Sequence, residues 1–164
     1  MRVLVTAASK HGATTEIAAA IGEALQARGL TPTVAAPEAV DDVTAYDAVV
    51  LGSGVYAGRW LDSAKQLVER LGEDLAQRPV WLFSSGPVGE PARPEEDPHD
   101  VADLVDATGA AGHRLFPGKI ERASLGFAER AITAALRVPD GDFRDWDEIA
   151  AWAGEIADAL SRGD

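Results

Sequence analysis

The chain has 164 residues, 46% of them hydrophobic, and it carries a formal net charge of −12 with no cysteine. This length is that of one domain, and the lack of cysteine excludes disulfides, thiol redox chemistry and cysteine metal sites. The acidic balance disfavours nucleic acids and anionic membranes as partners, because binding to either requires clustered Lys and Arg. The acidic surface either serves solubility alone or docks a basic protein.

The sequence also lacks the features of a membrane or secreted protein. No apolar run approaches the roughly 20 residues that a bilayer-spanning helix needs. The apolar start at residues 1–7 is too short for a secretory signal, since polar Ser9 and Lys10 follow it. We therefore expect a soluble, cytoplasmic protein.

Short apolar runs alternate with segments of helical periodicity along the chain. The apolar runs, each of which predicts a strand, cover residues 2–6, 31–35, 47–51, 79–83 and 113–116. Helical spacing of apolar residues covers residues 14–28, 61–75, a short stretch near 101–105, and 146–160. Gly29 ends the first helix at its C′ position, and Gly52 is expected to stop the third strand.

Two segments are less regular. Residues 87–98 are rich in proline and acidic residues and predict a mobile surface loop. Residues 117–145 show only a weak helical pattern. Because both flanks of the proline-rich loop follow the same alternation of strands and helices, we expect residues 1–164 to form a single domain.

Apolar strands that alternate with helices predict a parallel sheet covered on both faces. Five strands in this length fit a flavodoxin-like α/β fold, a three-layer sandwich whose parallel sheet has the strand order 2-1-3-4-5. In such a sheet, ligands bind beyond the carboxyl ends of the strands, where the strand order reverses. The loops after the first, third and fourth strands are therefore the candidate ligand loops.

The loop after the first strand combines hydroxyl side chains, a glycine and the start of a helix. Ser9 and Thr14 supply hydroxyl donors, Gly12 permits close approach of the backbone, and the helix N-terminus favours an anion. The predicted phosphate-binding residues are Ser9, Lys10, His11, Gly12, Ala13 and Thr14. In the alternative interpretation, Thr14 or Thr15 only caps the helix.

The second loop, residues 52–60, holds three glycines and two aromatic residues. A flat ligand needs such close backbone approach and a planar face on which to stack. We predict that Tyr56 stacks on the ligand, whereas Trp60 is either a second stacking residue or a core anchor at the start of the next helix. The predicted contact residues are Ser53, Gly54, Val55, Tyr56, Ala57 and Gly58.

The third loop is predicted to offer backbone N–H groups to the polar edge of a ring. Its candidate residues are Ser85, Gly86, Pro87, Val88 and Gly89. No acid–base or nucleophilic constellation accompanies the three loops, so no catalytic side chain and no metal ligand is predicted. His99 and His113 are isolated in the sequence, and we interpret them as surface or packing residues.

Motifs of other nucleotide-binding and catalytic proteins are absent from the sequence. It contains no GxxxxGK[ST], no HExxH, no GxSxG, and no GxGxxG after the first strand. A receiver domain shares the strand order but needs acidic residues after strand one and an Asp after strand three. The chain instead has Thr6-Ala7-Ala8-Ser9 and Gly52-Ser53 at these places.

The phosphate loop resembles the flavodoxin pattern [ST]-x-T-G-x-T, with His11 in place of the usual Thr and Lys10 as an added cation. The GATTEIA, GSGVYAG and DWDEIAAWAGEIA segments and a turn at Gly118 resemble the flavodoxin-superfamily branch that contains menaquinone-dependent protoporphyrinogen dehydrogenase. The resemblance implies that the three loops hold FMN as a cofactor. It also implies electron transfer to a redox partner protein or a small-molecule acceptor.

The chain departs from that enzyme in one region. The enzyme is membrane-associated and has a basic, apolar insertion before its last helix, whereas residues 117–145 are nearly balanced in charge here. Three functions stay open: an electron carrier, a protoporphyrinogen dehydrogenase of haem biosynthesis, and a flavin-free interaction domain. We favour an FMN-binding redox protein, and we expect neither membrane contact nor nucleic acid binding.

Overall fold

A computed structural model of the chain describes residues 1–86, 98–120 and 141–163. The helices within these ranges are α1 (Ala13–Ala27), α2 (Asp62–Leu75), α3 (Val101–Thr108) and α4 (Trp146–Arg162), with a short 3-10 helix at Pro37–Ala39. The strands are β1 (Arg2–Ala8), β2 (Thr31–Ala35), β3 (Ala48–Tyr56), β4 (Arg59–Trp60), β5 (Val80–Ser85), β6 (Gly112–Phe116), β7 (Lys119–Ile120) and β8 (Gly141–Asp142). The predicted surface loop at 87–97 and the weak helical pattern of 121–140 lie outside the described residues.

Five parallel strands form the main sheet, in the order β2-β1-β3-β5-β6. This is the predicted order 2-1-3-4-5, since β4 is a short antiparallel addition to the end of β3. A separate two-stranded sheet pairs β7 with β8. Because the strands are parallel, the carboxyl ends of β1, β3 and β5 meet at one edge of the sheet, and the strand order reverses between β1 and β3.

Side chains alternate along the strands between two apolar layers, as expected for a sheet buried on both faces. Val3 and Val5 of β1 pack in one layer with α1 and α4, whereas Leu4 packs in the other with α2 and α3. Phe83 and Phe116 pack against Trp152 of α4, with ring centroids 6.0 and 5.5 Å away. The helices therefore enclose the sheet and leave its strand ends as the place for a site.

The third and fourth strands of the main sheet are longer than predicted. The prediction that Gly52 stops the third strand is wrong, because β3 continues to Tyr56. Gly52 is needed inside the strand, since a Cβ at this position would lie 2.3 Å from the Phe83 ring. β5 likewise continues through Ser85. Residues that the sequence placed in loops therefore belong to the ends of strands.

A tight hairpin follows β3, in a segment that the sequence analysis treated as one loop. Val55 pairs with Trp60 and Tyr56 pairs with Arg59 in antiparallel register. The two residues between them have positive φ, 52° at Ala57 and 76° at Gly58. Two positive φ angles are typical of the type I′ turn, whose twist suits a two-residue hairpin.

Candidate functional site

The loop after β1 leads into the first turn of α1, whose first backbone donors precede the helical hydrogen bonds. Gly12 is left-handed, with φ 92°, and its N–H donates to Ser9 Oγ at 2.9 Å. The first helical bond runs from the Glu16 N–H to the Gly12 carbonyl at 3.1 Å. The N–H groups of Ala13 and the two threonines after it precede that bond, so they have no acceptor within the helix. Such a first turn fits an anion.

Gly12, and neither threonine, is the N-cap of α1, and it makes no side-chain capping bond. The alternative interpretation of Thr14 or Thr15 as a helix cap is therefore wrong. Thr14 is 5% exposed, and its Oγ1 lies 3.1 Å from where a Cβ on Gly54 would stand. Glycine at position 54 thus lets the first turn of α1 approach the end of β3.

Lys10 and Tyr56 join the first candidate loop to the second. The Lys10 ammonium lies 4.1 Å from the centre of the Tyr56 ring, within the range of a cation–π contact. Tyr56 is 36% exposed, so its ring stands at the surface of the strand-end edge. Lys10 and His11 are exposed as well. The structure therefore brings the predicted phosphate loop and the predicted stacking residue together.

Two other residues of the second loop have structural roles. The Ser53 hydroxyl donates to the Gly54 carbonyl at 2.8 Å and accepts the Leu61 N–H at 2.9 Å, which ties β3 to the start of α2. Trp60 is 2% exposed and donates its indole N–H to Ser84 Oγ at 2.7 Å. Trp60 is therefore a core anchor rather than a second stacking residue.

His113 is not isolated, contrary to the interpretation from sequence. Its Nε2 lies 2.7 Å from Ser84 Oγ, the same hydroxyl that accepts the bond from Trp60. The Ser84 hydroxyl on β5 therefore connects the Trp60 indole on β4 with the His113 imidazole on β6. The link escaped the sequence analysis because the three residues lie on different strands.

Residues that follow the proline-rich segment support the β3–β4 hairpin. The His99 N–H donates to the Gly58 carbonyl at 3.0 Å. The Asp100 carboxylate accepts the Trp60 N–H at 3.3 Å and lies 3.4 Å from the Lys65 ammonium. The turn beside Tyr56 is therefore held in place from outside the hairpin.

The third loop differs from its prediction where the structure describes it. Ser85 pairs with both β3 and β6, so its backbone belongs to the sheet. The Gly86 N–H donates to the Phe116 carbonyl at 3.0 Å, so this donor is already used within the protein, and the contact of Gly86 with a ligand ring stays a prediction. Gly118 packs on Gly86, where a Cβ would meet Cα at 3.1 Å. Pro87, Val88 and Gly89 lie outside the described residues, and their role stays a prediction.

Arg144, which no sequence motif indicates as a site residue, lies beside the first turn of α1. Its side chain is 4% exposed and pairs with Glu16 and with Asp142, 2.8 Å away. Its guanidinium also donates to the Ala13 carbonyl at 3.2 Å and lies 4.6 Å from the centre of the Trp146 ring. No local pattern could reveal the contact, because Arg144 and Glu16 are 128 positions apart.

Hydrogen bonds between Arg144 and Asp142 shift both groups toward their charged forms. They raise the pKa of the Arg144 guanidinium and lower the pKa of the Asp142 carboxyl from its ordinary value.

Within the described ranges, no cluster of three metal-ligating side chains occurs and no helix is long and apolar enough to cross a membrane. At the described edge, the loop that leads into α1 contacts an exposed aromatic ring through Lys10.

Comparisons with known proteins agree with this geometry. A family-wide profile of the flavodoxin domain matches residues 4–147. The structure is similar to an archaeal flavodoxin, with 18% identity and a TM-score of 0.68 over 98% of this chain and 99% of that one. It is similar to a Streptococcus pneumoniae TIGR4 flavodoxin, with 19% identity and a TM-score of 0.67 over the whole of both chains.

A longer protein contains the same fold as one part. Rubredoxin oxygen:oxidoreductase from Desulfovibrio gigas matches with 15% identity and a TM-score of 0.62, over 98% of this chain but 36% of that chain. At such identities the structural matches establish the fold alone. No curated protein matches this sequence.

Proposed function

Because the chain belongs to the flavodoxin family, whose cofactor is FMN, we propose that it holds one FMN across the three strand-end loops and carries electrons between redox partners. The observation that carries the proposal is the contact between Lys10 and Tyr56. It joins the loop that leads into the first turn of α1 to an exposed aromatic ring. A phosphate and a flat ring of one ligand can therefore be bound together.

The phosphate would bind at the start of α1. Three backbone N–H groups, at residues 13–15, face outward from the first turn, and the helix dipole adds a favourable potential. Ser9 Oγ accepts the Gly12 N–H, which leaves its own proton for donation to a phosphate oxygen. The Lys10 ammonium adds a positive charge at the same loop. This donor set meets the need of a dianion even though His11 replaces the usual threonine.

The ring would bind against Tyr56, on the edge that the β3–β4 hairpin forms. The hairpin is fixed by its type I′ turn and by the backbone bond from His99 to Gly58. A fixed aromatic side chain loses little entropy on stacking, so it orients a flat ligand well. The partly buried Trp60–Ser84–His113 link connects β4, β5 and β6 near the same edge.

FMN, when bound, supplies one- and two-electron redox chemistry, and the protein supplies binding, orientation and electrostatics. The net charge of −12 favours a basic partner protein, because opposite potentials speed association. Among the described residues we identify no side-chain group arranged for acid–base catalysis at the strand-end edge. These features favour a carrier over an enzyme with its own substrate.

The protoporphyrinogen dehydrogenase alternative depends on the resemblance of residues 145–157. In the structure these residues start α4: Asp145 caps the helix by accepting the Glu148 N–H at 3.1 Å. Ile149 and Trp152 pack in the layer that α4 shares with α1. Packing accounts for these contacts, so they do not favour a particular substrate. We therefore keep the dehydrogenase, like the flavin-free interaction domain, as a second candidate.

The test is a titration of the apoprotein with FMN and with riboflavin, which lacks the phosphate. We expect one FMN per chain and weaker binding of riboflavin. Gly12→Ala should weaken FMN binding, because an alanine is strained at φ 92° in the phosphate loop. Gly29→Ala is the matched control, since Gly29 has φ 88° at the other end of α1 and equally open surroundings. Equal affinity for both flavins would refute the phosphate site.

A further inference from the structure

We propose that Arg144 is a positioning residue for the FMN phosphate: it neutralises Glu16 and fixes the first turn of α1 so that the backbone donors face the phosphate. The inference rests on the proposed function and adds to it a residue outside the three loops. It assigns the Arg144–Glu16–Asp142 cluster a role in selecting a phosphorylated flavin.

The geometry gives Arg144 a fixed place at the site. The guanidinium contacts the Ala13 carbonyl at 3.2 Å, and Ala13 is the first residue of α1. Two further bonds, at 2.9 and 2.8 Å, join it to the Asp142 carboxylate. With 4% of its side chain exposed, Arg144 cannot swing freely into solvent. An arginine fork held in this way orients its acceptors as well as pairing with them.

Electrostatics explain why the cluster matters for a phosphate. Glu16 lies in the first turn of α1, where a carboxylate is ordinarily favourable because of the helix dipole. A bound phosphate carries about −1.5 to −2 charges at pH 7 and would be repelled by an unpaired carboxylate there. Arg144 pairs with that carboxylate. Without the guanidinium, the Glu16 carboxylate in the first turn of α1 would lose this partner.

A purely structural role for Arg144 makes a different prediction. If the cluster only attached the segment before α4 to α1, its loss would lower the free energy of unfolding and weaken every flavin alike. A role in phosphate positioning would instead weaken FMN and spare riboflavin. The ratio of the two affinities therefore separates the roles, and added salt should reduce a charge effect.

The experiment compares Arg144→Gln with Arg28→Gln. Arg28 pairs with Asp158 at 3.0 Å, so it also joins α1 to α4, but at the far end of the helix. Both substitutions change the net charge equally. For Arg144→Gln we expect a loss in FMN affinity of about fivefold to tenfold at low salt, as for like charges a few ångströms apart near water. Riboflavin affinity should stay within about twofold, and Arg28→Gln should affect neither ligand.

Second-site variants complete the test. Glu16→Gln in the Arg144→Gln background should recover most of the lost FMN affinity, because it removes the unpaired charge. Arg144→Lys keeps the charge and should retain the preference for FMN over riboflavin. It replaces the Gln variant in the comparison if that variant does not fold. Equal losses of affinity for FMN and riboflavin in Arg144→Gln would overturn this inference but not the proposed function. A double variant whose FMN affinity does not recover would do the same. A wild-type protein with no preference for FMN would overturn the proposed function with it.

Discussion

The Lys10 ammonium lies 4.1 Å from the centre of the Tyr56 ring, so a cation from the loop after β1 covers an aromatic ring at the end of β3. Such a contact contributes about 0.5–1 kcal/mol at an exposed site. It is small compared with the binding of a cofactor, which can therefore displace the ammonium from the ring. We infer that Tyr56 is available for stacking.

Tyr56→Ala should weaken FMN binding by about 1–2 kcal/mol, the order of an aromatic stacking contact together with its buried area. Tyr56→Phe should bind FMN about as well as wild type, because the ring is retained. Fluorescence titration of the apoprotein measures both affinities. Unchanged FMN affinity and unchanged flavin fluorescence in the Ala variant would exclude stacking by Tyr56. Trp60 could not take over the role, since it is 2% exposed.

Gly52→Ala should destabilise the fold by about 1–3 kcal/mol, the usual cost of overpacking a core. The added methyl group would lie 2.3 Å from the Phe83 ring, which also packs against Phe116 and Trp152. Gly112→Ala is the control, because Gly112 also lies in the main sheet but has nothing within 4 Å of its Cβ position. Urea unfolding of both variants gives the comparison. A loss of similar size in the two variants would contradict the packing argument.

The strand order could be predicted from sequence because each apolar run is flanked by helical periodicity and turn residues. Gly52 shows the limit of such local rules. A glycine inside an apolar run indicates the end of a strand, but β3 continues because it pairs with β1 and β5, and the Phe83 ring on the adjacent strand explains why position 52 is a glycine. The β3–β4 hairpin was missed for a similar reason, since Ala57 and Gly58 are not a typical hairpin pair.

The loop after β1 was predictable because its glycine, hydroxyl groups and helix start lie within six residues. Arg144 was not, because its contact with Glu16 spans 128 positions and requires the fold. His113 was wrongly taken as isolated for the same reason, as its partner Ser84 lies on the neighbouring strand. Local chemistry can thus be derived from sequence, whereas contacts between distant segments need the topology.

The Asp142–Arg144 pair predicts a loss of stability in acid. Hydrogen bonds from Arg144 lower the pKa of Asp142 below its ordinary value of 3.8, so the unfolded chain binds the proton more readily. The pair's contribution is therefore present above about pH 4 and is lost as the pH falls through the lowered pKa. Urea unfolding between pH 6 and pH 3 measures the effect. As the pH falls, the free energy of unfolding of Asp142→Asn should decrease less steeply than that of wild type.

The control for that measurement is Asp106→Asn, which changes an exposed aspartate on α3. It should leave the pH dependence of unfolding close to that of wild type. An Asp142→Asn profile parallel to the wild-type profile across this range would show that the pair does not couple stability to pH.

The last prediction distinguishes a carrier from a protoporphyrinogen dehydrogenase. A menaquinone is dissolved in the bilayer, so an enzyme that uses it must reach the membrane surface. Reaching that surface normally takes a basic patch, an amphipathic anchor or an acyl chain. Anionic lipid repels a chain with a net charge of −12, whereas a basic reductase attracts it. We therefore expect slow flavin reoxidation by menaquinone and little protoporphyrin formation.

The measurement starts from FMN-loaded protein that has been chemically reduced. Flavin absorbance follows reoxidation by a menaquinone analogue in anionic vesicles. A second assay starts from the oxidised protein with an excess of the same quinone as electron acceptor, and fluorescence follows protoporphyrin formation from protoporphyrinogen. Neutral vesicles are the control, since they remove the repulsion but keep the quinone. In parallel, reduction of the oxidised protein by a basic flavoprotein reductase should slow as salt rises, because salt screens the attraction. Rapid turnover in both quinone assays would favour the dehydrogenase, because the overall charge would then be no barrier to the membrane.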